Sequence, residues 1–385
     1  MSSEWGSVVI SRRKVLRDGA ILAAAGVAAA CAAPRQVAGT AASGSIAWEY
    51  RVDGGVRGLR YGTGTVVVDN AAVLTGLEAK SGRELWRFPI ATPGIGRRSC
   101  LWNDALVVCG AEPDATGDRA VAVDLASGKR NWSFDAPDGI ALGGVFGVRD
   151  RVLYLIASDR DRVGREAWAV DLESKTVRWR VPCDAEGLTV PDNGSLLYNQ
   201  SPGTGGDLAA LDLGTGATAW SRAGDAAVSA TTIASGLVRG AVLATDGAHL
   251  VSGLDPKTGA ALWTTPDLPY TAGVVFGSDD AYYLCDGTAL HAMTPGSEAA
   301  KLWSIGISPQ GVAADVGGYP SAGAFYLLAG RALRAVDAHT GLIRWTQSIP
   351  DKPGSQVSFA VGDTHCYVES AEDDPGASAV VAIAR

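Results

Sequence analysis

The sequence predicts an all-β chain folded as an eight-bladed β-propeller, its ring closed by an N-terminal strand that completes the C-terminal blade. Three observations carry the prediction. The first is a recurring stretch typified by Ala122-Val123-Asp124-Leu125-Ala126-Ser127-Gly128-Lys129-Arg130-Asn131-Trp132, which reads as a strand end, a tight turn and the start of the next strand. The second is its spacing. Tryptophans 48, 86, 132, 179, 220, 263, 303 and 345 follow one another at intervals of 38 to 47 residues. A period near forty built from short strands means propeller blades of about four strands each. The third is what lies between: short apolar runs broken by turns, with no helical periodicity over several turns between Ser45 and Arg385.

Each part of the repeat has a physical reason. The Asp carboxylate accepts turn N–H groups. The glycine takes a left-handed backbone that a side chain resists. The indole brings a broad apolar surface and one N–H donor. Asp171 leads to Trp179, Asp212 to Gly216 and Trp220, Asp255 to Gly259 and Trp263, and Asp337 to Gly341 and Trp345. Glu78, Gly82 and Trp86 form a copy with Glu in place of Asp, and Thr294 to Trp303 is a degenerate copy one residue longer. Trp48 stands in half a copy, and the chain ends at Ala382-Ile383-Ala384-Arg385, where the missing half would begin.

Residues 1–30 read as a twin-arginine signal peptide. Arg12 and Arg13 lie in Ser11-Arg12-Arg13-Lys14-Val15-Leu16-Arg17, and an apolar run from Gly19 to Ala30 follows, too short to span a bilayer. An anchor helix or a chance arginine pair is the competing reading. Ala28-Ala29-Ala30-Cys31 is similar to a lipobox, with Ala28 where Leu or Val is usual, and it also suits ordinary Ala-x-Ala cleavage. Lipidation of Cys31 is the favoured expectation, with 31–45 as a flexible tether and 46–385 as the propeller. The chain is expected to be extracytoplasmic and membrane-attached through the lipid alone.

Blade one is expected at 55–88, with strands Gly64–Val68 and Ala72–Leu74, and blades two to four end at Phe134, Arg180 and Arg222. Blade five holds Ala241–Thr245 and His249–Leu254, blade six Ala281–Cys285, and blade seven Ala324–Ala329. Blade eight takes strands near 357–359, 365–368 and 379–383, and its fourth from Ile46–Tyr50. Such closure leaves no open edge at the seam.

Seven Lys against 26 Arg, with abundant Ala and Gly, suggest a GC-rich bacterial source. The net charge is −8, and the first thirty residues carry +2, so the remainder carries −10. That argues against the basic stripe of a nucleic-acid binder and against electrostatic adsorption to anionic lipid. The six cysteines include no CxxC or Cys/His cluster, which argues against a metal site. Cys100 and Cys109 lie in neighbouring strands with a register two residues out for a disulfide.

The repeated Ala-x-Asp-x-x-Ser/Thr-Gly-x-x-x-Trp pattern resembles the tryptophan-docking repeat of quinoprotein-type, PQQ-like propellers over nearly all of 45–385. The resemblance implies that the eight tryptophans are structural, each packing on a neighbouring blade's turn. The propeller lipoprotein of outer-membrane barrel assembly is similar in architecture. Quinoprotein alcohol dehydrogenases also share the fold and raise PQQ with Ca²⁺ as the alternative function. They carry an adjacent Cys-Cys pair and Ca²⁺ ligands, and this sequence has no Cys-Cys. The expectation is therefore no cofactor and no catalysis.

Binding is expected on the face bearing the loops between second and third strands. These are long in blades two (Gly110–Asp118), three (Ser158–Arg165), four (Ser201–Asp207) and eight (Ser370–Ala377). Long loops on a rigid scaffold are where function usually sits. Glu112, Asp114, Asp159, Arg160, Arg162 and Asp374 are the exposed contact candidates, for an unidentified protein or glycan partner. Solvated loop variation is the bland alternative for each. A monomer is expected.

Overall fold

A computed structural model describes residues 35–36 and 43–385, except 71, 92–98, 114–116, 160–163, 184–186, 191–194, 200–207, 223–240, 246–249, 266–272, 278–280, 286–287, 299, 307–317, 322, 330–331, 350–357 and 372–376. Every regular element among the described residues is a strand. The strands form eight antiparallel sheets in chain order. Sheets 1 to 4 occupy 58–89, 100–135, 140–182 and 187–222, each four strands joined consecutively. Sheet 5 (242–264) shows three described strands, and sheets 6 (273–306) and 7 (318–348) show four. The strands will be called A to D along the chain, sheet 5 showing B to D.

Sheet 8 is assembled from both ends. Phe359–Val361, His365–Ala371 and Ala377–Ala384 are joined by Ile46–Asp53, which pairs antiparallel with Ala377–Ala384 from Asp53↔Ala377 to Ile46↔Ile383. The short strand Arg35–Gln36 adds a fifth member, pairing Gln36 with Trp48 and Arg35 with Glu49. Gly44 donates its N–H to the Ala384 carbonyl at 2.7 Å, and the Ser43 hydroxyl donates to the Arg385 carbonyl at 2.8 Å. Parts of the expected tether thus engage sheet 8. Arg12, Arg13 and Cys31 lie outside the described residues.

The second strands explain the continuous apolar runs of the sequence. Ala105–Gly110 and Thr65–Asp69 are buried at every position. Alternate side chains serve two different cores, because successive residues of a strand point to opposite faces. Val66 and Val68 pack with sheet 8, while Val67 packs with sheet 2. Ala105, Val107 and Cys109 pack with sheet 3, while Leu106 and Val108 pack with sheet 1. In sheet 7, Phe325 and Leu327 face sheet 6, and Tyr326 and Leu328 face sheet 8. Stacked sheets pack about 10 Å apart with both faces covered, so a run such as Val66-Val67-Val68 needs no polar alternation.

Cys100 pairs with Val107, so Cys109 is two residues out of register, as the spacing predicts. Cys100, Cys109 and Cys366 are free thiols.

Candidate functional site

The repeated stretch folds as a joint between sheets. In sheet 2 the Asp124 Oδ1 accepts the Ser127 amide at 2.7 Å and its hydroxyl at 2.6 Å, and the Asp124 carbonyl accepts the Gly128 amide at 2.8 Å. Asp212 accepts the amides of Gly214 and Thr215 at 3.0 and 2.8 Å. Asp255 accepts those of Lys257 and Thr258 at 2.7 and 3.0 Å. Asp337 accepts those of His339 and Thr340 at 3.1 and 2.9 Å. Gly82, Gly128, Gly216, Gly259 and Gly341 hold φ between +68° and +73°.

The indole of the preceding sheet lies on that glycine. A Cβ added to Gly128 would meet Trp86 Cγ at 2.5 Å, and one added to Gly259 would meet Trp220 Cε3 at 2.5 Å. Six of the indole N–H groups donate to the carbonyl of the residue after the carboxylate. The pairs are Trp48–Ala79 (3.0 Å), Trp86–Leu125 (2.7 Å), Trp132–Leu172 (2.7 Å), Trp179–Leu213 (2.9 Å), Trp220–Pro256 (3.1 Å) and Trp303–Ala338 (2.9 Å). The amide of that residue in turn reaches the A–B hairpin of its own sheet. Leu125 donates to the Asp104 carbonyl and Leu172 to that of Arg151, both at 2.9 Å. Trp345 lies against Gly44, and Trp263 stacks on Tyr282 of sheet 6 with ring centroids 5.9 Å apart.

Two departures from the repeat are informative. Lys175 takes the glycine position of sheet 3 at φ +57°, and Trp132 still makes its hydrogen bond there. In the degenerate turn of sheet 6 the Thr294 hydroxyl, rather than a carboxylate, accepts the Ala300 amide at 2.9 Å.

The turn donors hold the carboxyls below their usual range. Ser127 does so for Asp124, Thr215 for Asp212, and the backbone N–H of Lys257 for Asp255. The Ser174 amide and Arg178 depress Asp171, and Arg344 followed by the Thr340 amide depresses Asp337. These are charges fixed in turns, unsuited to moving protons near neutral pH. Burial pushes the Cys100 and Cys366 thiols up to about 12, which keeps them protonated and inert.

The predicted contact residues meet different outcomes. Glu112 is not free on the surface. It bridges Arg130 at 2.7 Å and Arg119 at 3.6 Å with a side chain only 20% exposed, because the loop leaves it above two arginines of strands C and D. Asp159 ends strand B of sheet 3, paired with Ile140. Asp114, Arg160, Arg162 and Asp374 lie outside the described residues. The strand ends leave a long B–C connection in sheets 2, 3 and 4, from Gly110 to Arg119, Asp159 to Glu166 and Asn199 to Leu208. In sheet 1 the connection runs only from Asp69 to Val73.

One inter-sheet contact carries no repeat signature. Tyr50 of sheet 8 donates its hydroxyl to Glu84 of sheet 1 at 2.6 Å, and Arg87 donates to the same carboxylate at 2.8 Å. Its only sequence signal is a tyrosine two residues after Trp48. Among the described residues, no cluster of three His, Cys, Asp or Glu side chains has the arrangement of a metal site. Nor do the four described thiols form an adjacent pair.

The stacked sheets and their indole joints define a β-propeller of the PQQ-like repeat class. The family model described as "Outer membrane protein assembly factor BamB" matches residues 5–133 and 115–267, more than half of the chain, and the chain belongs to that family. No curated protein matches the chain by sequence. Among solved structures, BamB from Moraxella catarrhalis is similar at 16% identity and a TM-score of 0.58, covering 91% of this chain and 98% of that one. The quinohemoprotein alcohol dehydrogenase ADHIIG from Pseudomonas putida HK5 is similar at 13% identity and a TM-score of 0.60, covering 88% and 76%. The computationally designed Ika8 protein is similar at 15% identity and 0.58, covering 86% and 97%. At these identities the likeness is one of fold.

Proposed function

We propose that this chain is an exported, lipid-anchored, non-catalytic propeller that serves as a binding scaffold outside the cytoplasm. The observation that carries the reading is membership of a family described as an assembly factor. A second observation supports it. The Asp, Gly and Trp of each repeat are used in joints between sheets, so the chemistry-bearing part of the repeat is committed to structure. We read the eight sheets as eight blades of one closed ring. The hydrogen bond from Trp48 to Ala79 and the core shared by sheets 8 and 1 support that closure.

The partner is a protein or glycan engaged by the B–C loops of blades two to four, and the chain acts as a monomer. Export follows the twin-arginine route, and Cys31 carries the lipid. The test is crosslinking of the full-length chain in its own envelope, with and without shortening of the loops at 111–118 and 160–165. A discrete adduct lost on shortening supports the scaffold. Saturable PQQ binding that requires Ca²⁺, accompanied by dye-linked alcohol oxidation, would overturn it in favour of a quinoprotein.

A further inference from the structure

The turn that receives Trp345 is assembled from two distant segments. In sheet 2 the Asp124 amide donates to the Lys129 carbonyl at 2.8 Å, Gly128 to Asp124 at 2.8 Å, and Leu125 to Asp104 at 2.9 Å. The same three bonds recur in sheet 8. Ala384 donates to the Ser45 carbonyl at 2.9 Å, Gly44 to Ala384 at 2.7 Å, and Arg385 to Thr364 at 3.0 Å. Ala384 thus holds the aspartate position, Arg385 the position after it, and Gly44, at φ +82°, the glycine position. Ser43-Gly44 precedes Trp48 as Ser127-Gly128 precedes Trp132. Trp345 lies on Gly44 as Trp86 lies on Gly128, and a Cβ on Gly44 would meet the indole at 3.1 Å.

This copy is fastened differently. Arg385 and Ser43 meet across 342 positions of sequence through one bond, from the Ser43 hydroxyl to the Arg385 carbonyl at 2.8 Å. In the other turns the equivalent hydroxyls of Ser127, Thr215 and Thr340 donate to a carboxylate. Ala384 offers none. The Arg385 side chain supplies a substitute, from a position that Leu125 fills in sheet 2 with a buried side chain. Its Nε donates to the Tyr326 hydroxyl of sheet 7 at 2.8 Å, its guanidinium lies 4.9 Å from the centre of that ring, and its Nη1 donates to the Gly362 carbonyl. The strand that follows the turn is held independently. Ile46–Asp53 pairs along Ala377–Ala384, Trp48 donates to Ala79, and Tyr50 donates to Glu84. Residues 43–45 can therefore part from Arg385 without unpairing that strand, and the apolar core shared by sheets 7 and 8 persists beneath.

We propose that this split turn is a releasable latch: residues 43–45 detach from Arg385 and uncover Trp345 on the outer strand of sheet 7, while Ile46–Asp53 stays in sheet 8. A pull or a partner acting on the chain ahead of Ser43 is then felt at Trp345. This rests on the closed-ring reading. The test is amide hydrogen exchange on the full-length chain, which reports local opening residue by residue. Gly44 and Ala384 are compared with Gly128 and Asp124, which hold the same places. A missing hydrogen bond to a charged group corresponds to about tenfold in an opening equilibrium, so protection at Gly44 and Ala384 should be lower by about that factor. Ala384→Asp, which restores the carboxylate, should raise protection at Gly44. Arg385→Gln should lower it further and leave Gly128 unchanged. Equal protection at Gly44 and Gly128, or protection at Gly44 indifferent to both substitutions, would overturn the latch and leave the ring intact. Exchange throughout Ile46–Asp53 as fast as at Gly44 would overturn the closed ring and the latch together.

Discussion

Replacing Gly128 by alanine tests the joint at its tightest point. Two costs act together. The residue sits at φ +68°, and an L side chain in that region costs about 1–2 kcal/mol. The new Cβ would also lie 2.5 Å from Trp86 Cγ. No side chain tolerates that approach, so the indole or the turn must move, at about 1–3 kcal/mol by analogy with overpacked cores. The loss of freedom in the unfolded chain returns about 0.4–1 kcal/mol. The net expectation is a loss of about 2–4 kcal/mol, with strain on the 2.7 Å bond from Trp86 to the Leu125 carbonyl. Sheet 3 supplies the control that separates the two costs. Lys175 already takes φ +57° while Trp132 keeps its 2.7 Å bond to Leu172. Backbone strain alone is therefore compatible with docking, and Lys175→Gly should raise stability by about 0.5–1 kcal/mol. Urea unfolding followed by tryptophan fluorescence reads both changes as shifts in midpoint at constant slope. A Gly128→Ala midpoint within about 0.5 kcal/mol of the parent would refute the argument that the indole occupies the space of a Cβ.

Truncating Trp86 to alanine should cost about 3–5 kcal/mol, measured by the same unfolding series, and should not be rescued by Gly128→Ala. Deleting 376–385 removes Ala377–Ala384, which bridges Ile46–Asp53 to His365–Ala371, and should abolish cooperative unfolding, detected by calorimetry. The docking carboxyls give a signed pH dependence. Their folded pKa values lie below the unfolded ones, so their contribution is complete above about pH 4 and fades as pH falls through the depressed values. Melting temperature should therefore drop with acid, and less steeply in an Asp171→Asn chain. The free thiols of Cys100 and Cys366, pushed up to about 12 by burial, should resist alkylation at pH 8 until denaturant is added, as timed mass spectrometry would record.

Strand positions were largely legible in the sequence because burial on two faces leaves an unmistakable run. Ala324–Ala329 matches its prediction, and Tyr282–Cys285 differs by one residue. Strand ends were less legible. The strand expected at 46–50 extends to Asp53, because Ala377 and Ser378 offer further partners that the repeat does not encode. The pairing of Arg35–Gln36 left no trace in composition, since a two-residue strand needs only an open edge. The joints were readable for the opposite reason: most copies repeat a carboxylate, a glycine and an indole, and repetition reveals geometry. That logic also limits what the repeat can say about function. A part present in every sheet serves the scaffold, so recognition belongs to what varies. Glu112 shows what such variation hides when read as sequence alone. A loop acid beside a long insertion looks like a ligand contact, yet Arg119 and Arg130 lie below it and take its charge.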